Sequence, residues 1–192
     1  MHNAPVEPVL YVDDARYARL WSLWKQISSL GEEAERDATA EARRLIYREA
    51  RLLDDRQYDP WLGLFAPDCL YWIPRKPEPG DPRTESGIYL DDRRRMMDRV
   101  AVIRTGYLHA QTPASRTRRM LSGIEAWATS DGGLTARANV VIWEYRKGVT
   151  RSHPGMQIYE FARDTRGVTL IATKVLSLLD CDAPQGNYSF ML

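Results

Sequence analysis

The spacing of apolar residues changes partway along the chain, and this change constrains the fold more than any other feature of the sequence. In the first half, apolar side chains recur every three or four positions, which is the period of an amphipathic helix. Beyond residue 119 they alternate with polar side chains, which is the period of a half-buried strand. Helices first and strands second are typical of the α+β class. We therefore expect a curved, largely antiparallel sheet folded over helices.

Three long helices are predicted before the strands. The first spans about residues 13–30, and we expect it to pack on its own domain rather than on a neighbouring subunit. Thr39 is suited to cap the second helix, which ends near Asp54. The third spans about residues 91–104. Its inward side chains are predicted to be Met96, Met97, Val100 and Ile103.

The acidic and aromatic stretch at residues 52–74 could be an acid/base site or a corner of the fold. Asp59 followed by proline favours a helix N-cap with the proline at the first helical position. Asp68 is predicted to open the turn into a strand at residues 69–74. Asp54 is poorly placed against the dipole at a helix end, which leaves either a functional role or a salt bridge open. We interpret the stretch as a corner of the fold.

The second half of the chain contains four strand candidates separated by turns. Two of the turns, Asp131-Gly132-Gly133 and Asp164-Thr165-Arg166-Gly167, have residues that suit hairpins. His153 precedes a proline and is expected in a loop between two strands. The strand candidates are residues 123–129, 134–148, 155–164 and 168–180.

The histidines and cysteines do not support a metal centre or a nucleophilic site. A Rieske centre takes two cysteines and two histidines, and a mononuclear iron site commonly takes two more histidines and a carboxylate. The chain has only three histidines, His2, His109 and His153, and no Cys-x-His motif. Cys69 lies among aromatic residues and is predicted to be a buried structural thiol. We predict no catalytic residue and no metal ligand in this chain.

Composition excludes several partners and locations. The chain has 27 basic and 26 acidic residues, so no net field attracts nucleic acid or an anionic membrane. No apolar run approaches the roughly 20 residues that a membrane-spanning helix needs. The N-terminal residues do not have the pattern of a signal peptide. With two distant cysteines and no disulfide framework, the sequence predicts a soluble cytoplasmic protein.

Three segments of the chain resemble the β (small) subunit of bacterial aromatic-ring-hydroxylating dioxygenases. They are EARLLDDRQYDPWLGLFAPDCLYWIP (49–74), IYLDDRRRMMDRVAVIRTGYLHAQTPASRTRRMLSGIEAW (88–127) and KVLSLLDCDAPQGNYSFML (174–192). The resemblance covers about residues 40–192, and the segment at 113–119, PASRTRR, belongs to its most specific part. The pattern D-x-W-L-x-L-F at residues 59–65 is shared more widely with the cone-shaped, nuclear-transport-factor-2-like (cystatin-like) superfamily.

The resemblance implies a cone-shaped fold and a non-catalytic, structural role in the breakdown of aromatic compounds. An N-terminal arm and helix (1–38) would precede the β-subunit domain (39–192). Three such subunits would assemble with three large subunits, which would carry the Rieske [2Fe-2S] cluster and the mononuclear iron. Ferredoxin and reductase would act on that complex, and this chain would hold no cofactor.

Arginine-rich segments are the predicted contacts with the large subunit or with neighbouring small subunits, because arginine suits partly buried carboxylates and carbonyls. The candidates are Arg93, Arg94, Arg99, Arg104, Ser115, Arg116, Arg118 and Arg119. Two alternatives stay open. The chain could be a stand-alone cone-fold dehydratase, isomerase or hydrolase that uses Asp54 or His109, with Asp55 and Tyr71 as further candidates. It could also be a ligand-binding module without an obligate partner.

Overall fold

The computed structural model describes residues 12–27, 36–105, 111–184 and 188–192. Within these ranges the chain forms four helices, α1 (Asp14–Ile27), α2 (Arg36–Asp54), α3 (Tyr58–Leu62) and α4 (Arg93–Arg104). It also forms six strands, β1 (Phe65–Pro74), β2 (Gly87–Asp92), β3 (Arg116–Ala128), β4 (Leu134–Arg146), β5 (Val149–Arg163) and β6 (Thr169–Leu178). The helices and the predicted strands are all present, which confirms the α+β class.

The six strands form one sheet in the order β2-β1-β6-β5-β4-β3. All neighbours are antiparallel except β1 and β6, which run parallel with Tyr71 opposite Lys174. The pairing of β3 with β4 shifts register between Ser122 and Glu125, where Gly123 has a φ of 57°. Such a bulge bends a strand and increases its twist. The predicted curved, mainly antiparallel sheet is therefore confirmed.

Helices cover the sheet on both faces. The inner face packs against α2, α3 and α4, and we call the apolar cluster between them the inner core. On the outer face, α1 packs Leu20, Leu23 and Ile27 against Trp72 and Ile158, forming a smaller outer core. The first helix thus packs on its own sheet, as predicted. Tyr71 and Ile73 belong to the inner core, so the predicted alternation about Trp72 is also confirmed.

Two of the predicted helix features are wrong. The described part of α2 already begins at Arg36, so Thr39 lies inside the helix, where it is 4% exposed, and does not cap it. Thr39 faces the core on the same side of α2 as Ala42 and Ile46. The helix therefore begins earlier in the chain than predicted. In α4, Met96 and Val100 are buried, but Met97 is 46% exposed because it is turned about 100° from Met96 around the helix axis.

The corner after α2 is built differently from the prediction. The N-cap of α3 is Gln57, whose side chain makes no capping hydrogen bond, and Asp59 lies within the helix. Asp59 instead forms an exposed ion pair with Arg104, at 2.5 Å between carboxylate and guanidinium. Strand β1 begins at Phe65, so Asp68 lies inside the strand rather than before it. The pairing of β1 with β6 shifts register between Phe65 and Leu70, and this shift accommodates Asp68 within the strand.

Two strands begin earlier than the sequence indicated. β3 starts at Arg116 and β5 at Val149, so His153 lies in a strand and not in a loop. Arginine and serine interrupt the alternation in both places, and the start of β5 also contains Pro154. Pairing with β4 extends both strands despite that composition. The paired residues run from Arg116 through Ser122 on β3 and from Val149 onward on β5.

Candidate functional site

The inner face of the sheet holds a fully buried ion pair. The Lys174 ammonium on β6 donates to Oε1 of Glu49 on α2 at 2.8 Å, and their side chains are 0% and 2% exposed. The hydroxyl of Tyr159 donates to Oε2 of Glu49 at 2.6 Å, and the indole N–H of Trp61 donates to Oε1 at 3.2 Å. The Glu49 carboxylate therefore finds three donors within its own chain.

The electrostatics of this pair are those of a structural contact. Burial acts to raise the pKa of Glu49, but the Lys174 charge and the three hydrogen bonds outweigh it and hold that pKa below its usual value. Burial also lowers the pKa of Lys174, and the Glu49 charge opposes this effect. The pair joins α2 to the sheet.

Sequence reasoning missed this pair, although each residue leaves a signal. Glu49 is a carboxylate on the apolar stripe of α2, between Ile46 and Leu53. Lys174 interrupts the apolar pattern of β6. A charge of each sign at a core position points to a buried ion pair, because an isolated buried charge is very costly.

Asp54, a candidate acid or base of the stand-alone enzyme alternative, is fully engaged within the chain. Its carboxylate accepts from the hydroxyl of Thr117 at 3.0 Å, from the main-chain N–H of Arg119 at 2.9 Å and from the Arg119 guanidinium at 2.5 Å. The Arg119 side chain is 1% exposed. Asp54 therefore attaches the end of α2 to β3. Asp55 follows it on the surface, and His109 lies outside the described residues.

A second polar cluster lies on the inner face of the sheet, near the C-terminal end of β4. The hydroxyl of Ser115 donates to Oε1 of Glu144 at 2.6 Å, and Gln111 donates to the Ser115 oxygen at 2.9 Å. Nε2 of His153 is 3.6 Å from Oε2 of Glu144 and has no hydrogen-bond partner. Burial lowers the pKa of His153, which keeps the imidazole neutral near pH 7. Because the Ser115 proton is directed at Glu144, the cluster does not have the geometry of a nucleophilic triad.

Both cysteines are buried and free. Burial raises the pKa of the Cys69 thiol to about 12, and its Sγ lies 3.8 Å from Sδ of Met96. The predicted burial of Cys69 is thus confirmed.

We expect neither thiol to react with Ellman's reagent in the folded chain at pH 8, because the reactive thiolate is scarce and inaccessible. In denaturant both thiols should react. Absorbance of the released chromophore gives the count. Rapid reaction of one thiol without denaturant would contradict the burial of that site.

Several of the predicted interface residues make contacts within the chain. Arg93 donates to the carbonyls of Leu62 and Phe65 at 2.8 and 2.9 Å. Arg99 pairs with the buried carboxylate of Asp91. Arg119 and Ser115 are engaged as described above. These four candidates connect helices, strands and loops of the same chain.

The other candidates are exposed. Arg94 and Arg104, each 49% exposed at the side chain, form surface ion pairs within the chain. Arg116 stacks over the ring of Tyr145 at 4.6 Å from its centroid, and Arg118 lies opposite Trp143 in the register. Such exposed pairs contribute little to stability, so these side chains are available for other contacts.

Arg116 and Arg118 belong to an uncovered part of the outer sheet face, which we call the outer arginine–aromatic surface. It also contains Met120, Trp143 and Tyr145, which are 63%, 43% and 40% exposed. A cleft of about 560 Å³ opens beside it, and its lining includes the two arginines, the two aromatic residues and Asp55. Arginine and large aromatic residues are enriched at protein–protein interfaces.

Two further properties complete the description of the site. Within the described ranges, no group of three or more His, Cys, Asp or Glu side chains could hold a metal ion, so these residues do not fit a Rieske cluster or an iron site. None of the helices in the described part of the chain has the length and apolar character to cross a membrane.

Similar structures define the class of fold. The chain superimposes on a nuclear-transport-factor-2-like protein with a cystatin-like fold from Novosphingobium aromaticivorans with a TM-score of 0.55, at 20% identity, over 89% of this chain and 93% of the other. It superimposes on the beta subunit of benzoate 1,2-dioxygenase from Burkholderia mallei with a TM-score of 0.64, at 25% identity, over 84% of this chain and all of the other. The predicted cone-shaped fold is confirmed.

Sequence comparison defines the family. Residues 48–183 match the model of the ring hydroxylating beta subunit family. The chain is 32% identical to the small subunit of 2-halobenzoate 1,2-dioxygenase from Burkholderia cepacia over 136 residues, which are 68% of this chain and 82% of that one. The chain belongs to the family of ring-hydroxylating dioxygenase beta subunits.

Proposed function

We propose that this chain is the non-catalytic small subunit of a multicomponent aromatic-ring-hydroxylating dioxygenase that serves the breakdown of aromatic compounds. The observation that carries the proposal is the family match over residues 48–183. The Burkholderia cepacia relative is, by its name, the small subunit of a dioxygenase that acts on 2-halobenzoate. A subunit of this kind needs a partner, and its own role is to assemble with and stabilise that partner.

The geometry of the cone supports the non-catalytic part of the proposal. A catalytic acid or base must lie within hydrogen-bonding reach of the bound substrate. The Glu49 carboxylate is buried, and the Asp54 carboxylate is 10% exposed and borders the cleft of about 560 Å³; each accepts hydrogen bonds from donors of the same chain. The stand-alone enzyme alternative would require Asp54 to exchange protons with a substrate, and the ion pair with Arg119 opposes this.

The proposed assembly contains three large and three small subunits. The large subunit would hold the Rieske cluster and the mononuclear iron and would receive electrons from a reductase and a ferredoxin. Neighbouring small subunits would also touch one another, and the complex would act in the cytoplasm. The lack of a candidate ligand group among the described residues supports placing both metal centres in the large subunit.

Among the predicted contact residues, we propose that Arg94, Arg104, Arg116 and Arg118 face partner subunits, because they are exposed. For the domain organisation, we propose that the N-terminal arm and α1 precede the β-subunit domain. The boundary, predicted after residue 38, is better placed before Arg36, where the described part of α2 begins.

Reconstitution tests the proposed function. The purified chain, supplied with reductase, ferredoxin, NADH, oxygen and an aromatic carboxylate such as benzoate, is expected to show no turnover. Addition of the cognate large subunit should produce dihydroxylation and a complex with both chains, visible by analytical ultracentrifugation. Substrate turnover by the chain alone, or no association with the large subunit, would contradict the proposal.

A further inference from the structure

Residues 188–192, which we call the C-terminal segment, are held inside the cone by side-chain donors. Each donor comes from the inner face of a different strand, and each acceptor is a main-chain oxygen of the segment. The pairs are Tyr71 with Leu192 at 2.7 Å, Arg119 with Met191 at 2.6 Å and Tyr89 with Tyr188 at 2.8 Å. Side chains of β1, β2 and β3 thus form hydrogen bonds with the main chain of the segment.

The segment is not attached to the sheet in the way a strand is. Within the described part of the chain, residues 190–192 make no backbone–backbone hydrogen bond, and residues 188–192 belong to no helix or strand. A side-chain contact also fixes the segment, since Gln111 donates to the Ser189 hydroxyl at 2.7 Å. These are the contacts by which a protein binds a separate peptide, with the main chain read by fixed donors.

Apolar side chains anchor the segment in the inner core. Phe190, Met191 and Leu192 are 6%, 4% and 0% exposed. Burial of three large apolar side chains is the main favourable contribution to binding of a short peptide. The anchors and the main-chain contacts together define a ligand: a short apolar peptide whose main-chain oxygens accept hydrogen bonds from Tyr71, Tyr89 and Arg119.

A cleft leads to the segment from the surface. It has a volume of about 350 Å³ and runs between α4 and the segment. Val102 and Ile103 of α4 line one wall, and Tyr188, Ser189, Phe190 and Met191 line the other. One side of the segment is therefore reachable without opening the sheet.

We propose that the inner end of the cone, formed by β1, β2 and β3, is a binding site for a short apolar peptide, and that the chain's own C-terminal segment is its exchangeable occupant. The site takes the same peptide in trans when the covalent connection is cut. This inference is independent of the subunit function, so its failure would leave that proposal unchanged.

Cutting the folded chain tests the exchange. A recognition site for a specific protease is placed at residues 182–184, which are exposed, and the purified full-length chain is cut after folding. A fluorescent synthetic peptide of residues 185–192 is then added. We expect the cut chain to keep its near-ultraviolet circular dichroism and to take up the labelled peptide, with saturable anisotropy, while a scrambled peptide does not bind. A chain that unfolds on cutting, or that stays folded without taking up the peptide, or that binds the scrambled peptide equally well, would overturn the proposal.

Conservative variants test the contacts. Tyr71→Phe and Tyr89→Phe each remove one hydroxyl that donates to the segment, and each should weaken labelled-peptide binding about three- to ten-fold. Tyr159→Phe is the matched control, because its buried hydroxyl donates to Glu49 and not to the segment. Its peptide affinity should equal that of the unmodified cut chain. Equal affinities in all three variants, or an equal loss in the control, would show that the hydroxyls of Tyr71 and Tyr89 do not contribute to peptide binding.

Discussion

Replacing Lys174 by methionine is expected to lower the free energy of unfolding by about 3–5 kcal/mol, because it leaves a buried carboxylate without its counter-charge. Glu49 is 2% exposed at the side chain and cannot reach water to recover the lost interaction. Methionine has a similar length and keeps the volume of the core filled, so the effect reports the charge rather than a cavity. Urea denaturation followed by circular dichroism measures the change.

Two controls separate this effect from general sensitivity of the core. The double variant Lys174→Met/Glu49→Leu removes both charges and should recover part of the loss, limited by the hydroxyl of Tyr159 and the indole of Trp61, which lose their acceptor. Arg104→Ala removes an exposed ion pair with Asp59 and should change stability little. A loss below about 1 kcal/mol for Lys174→Met would contradict the buried pair.

Charge reversal at Arg119 should lower the stability of the chain, whereas charge reversal at Arg116 should weaken its assembly with the large subunit. Arg119→Glu places a second carboxylate against Asp54 in a site that is 1% exposed, and it removes the donor to Met191. We expect at least about 3 kcal/mol of lost stability or failure to fold. Arg116→Glu changes an exposed residue beside Tyr145 and should leave the fold intact. It should weaken assembly with the large subunit, because a rim charge is reversed.

The two variants are compared in the same pair of measurements. Urea denaturation of the chain alone gives stability, and analytical ultracentrifugation with the large subunit gives assembly. Arg116→Lys is the matched control for assembly, since it keeps the charge. If Arg116→Glu assembles normally, the outer arginine–aromatic surface is not the contact. If Arg119→Glu is as stable as the original chain, the described ion pair does not form.

The parts of the fold that the sequence predicted are those with an uninterrupted hydrophobic period. The apolar stripes of α1 and α2 and the alternation of β4 indicate which faces are buried, and the structure has those faces buried. Boundaries were predicted less well, because pairing with a neighbour extends a strand through polar residues. The start of β3 at Arg116 is an example. It is set by pairing with Tyr145 of β4, which lies far along the chain and leaves no signal near Arg116 in the sequence.

Local capping signals also lost to tertiary contacts. An aspartate before a proline favours an N-cap, yet Asp59 lies inside α3 and pairs with Arg104 from α4. The sequence could not place Arg104 there. The buried polar groups had a weak signal, a charge on an apolar stripe, but the partner of each charge depends on the register of strands far apart in the chain. Glu49 and Lys174 meet only after α2 has packed on β6.

The parallel pairing of β1 with β6 has a consequence for the order of events during synthesis. The strands β1 and β2 leave the ribosome early, but β1 joins the rest of the sheet only through β6, where Tyr71 lies opposite Lys174. Until β6 emerges, the apolar side chains of β1 have no sheet to join, whereas α2 can already pack against β3 and β4. Contacts between residues so distant in sequence slow folding and leave apolar surface exposed in the meantime. We therefore expect nascent chains that end before Thr169 to be protease-sensitive and prone to aggregate, and resistance to appear only once β6 is complete.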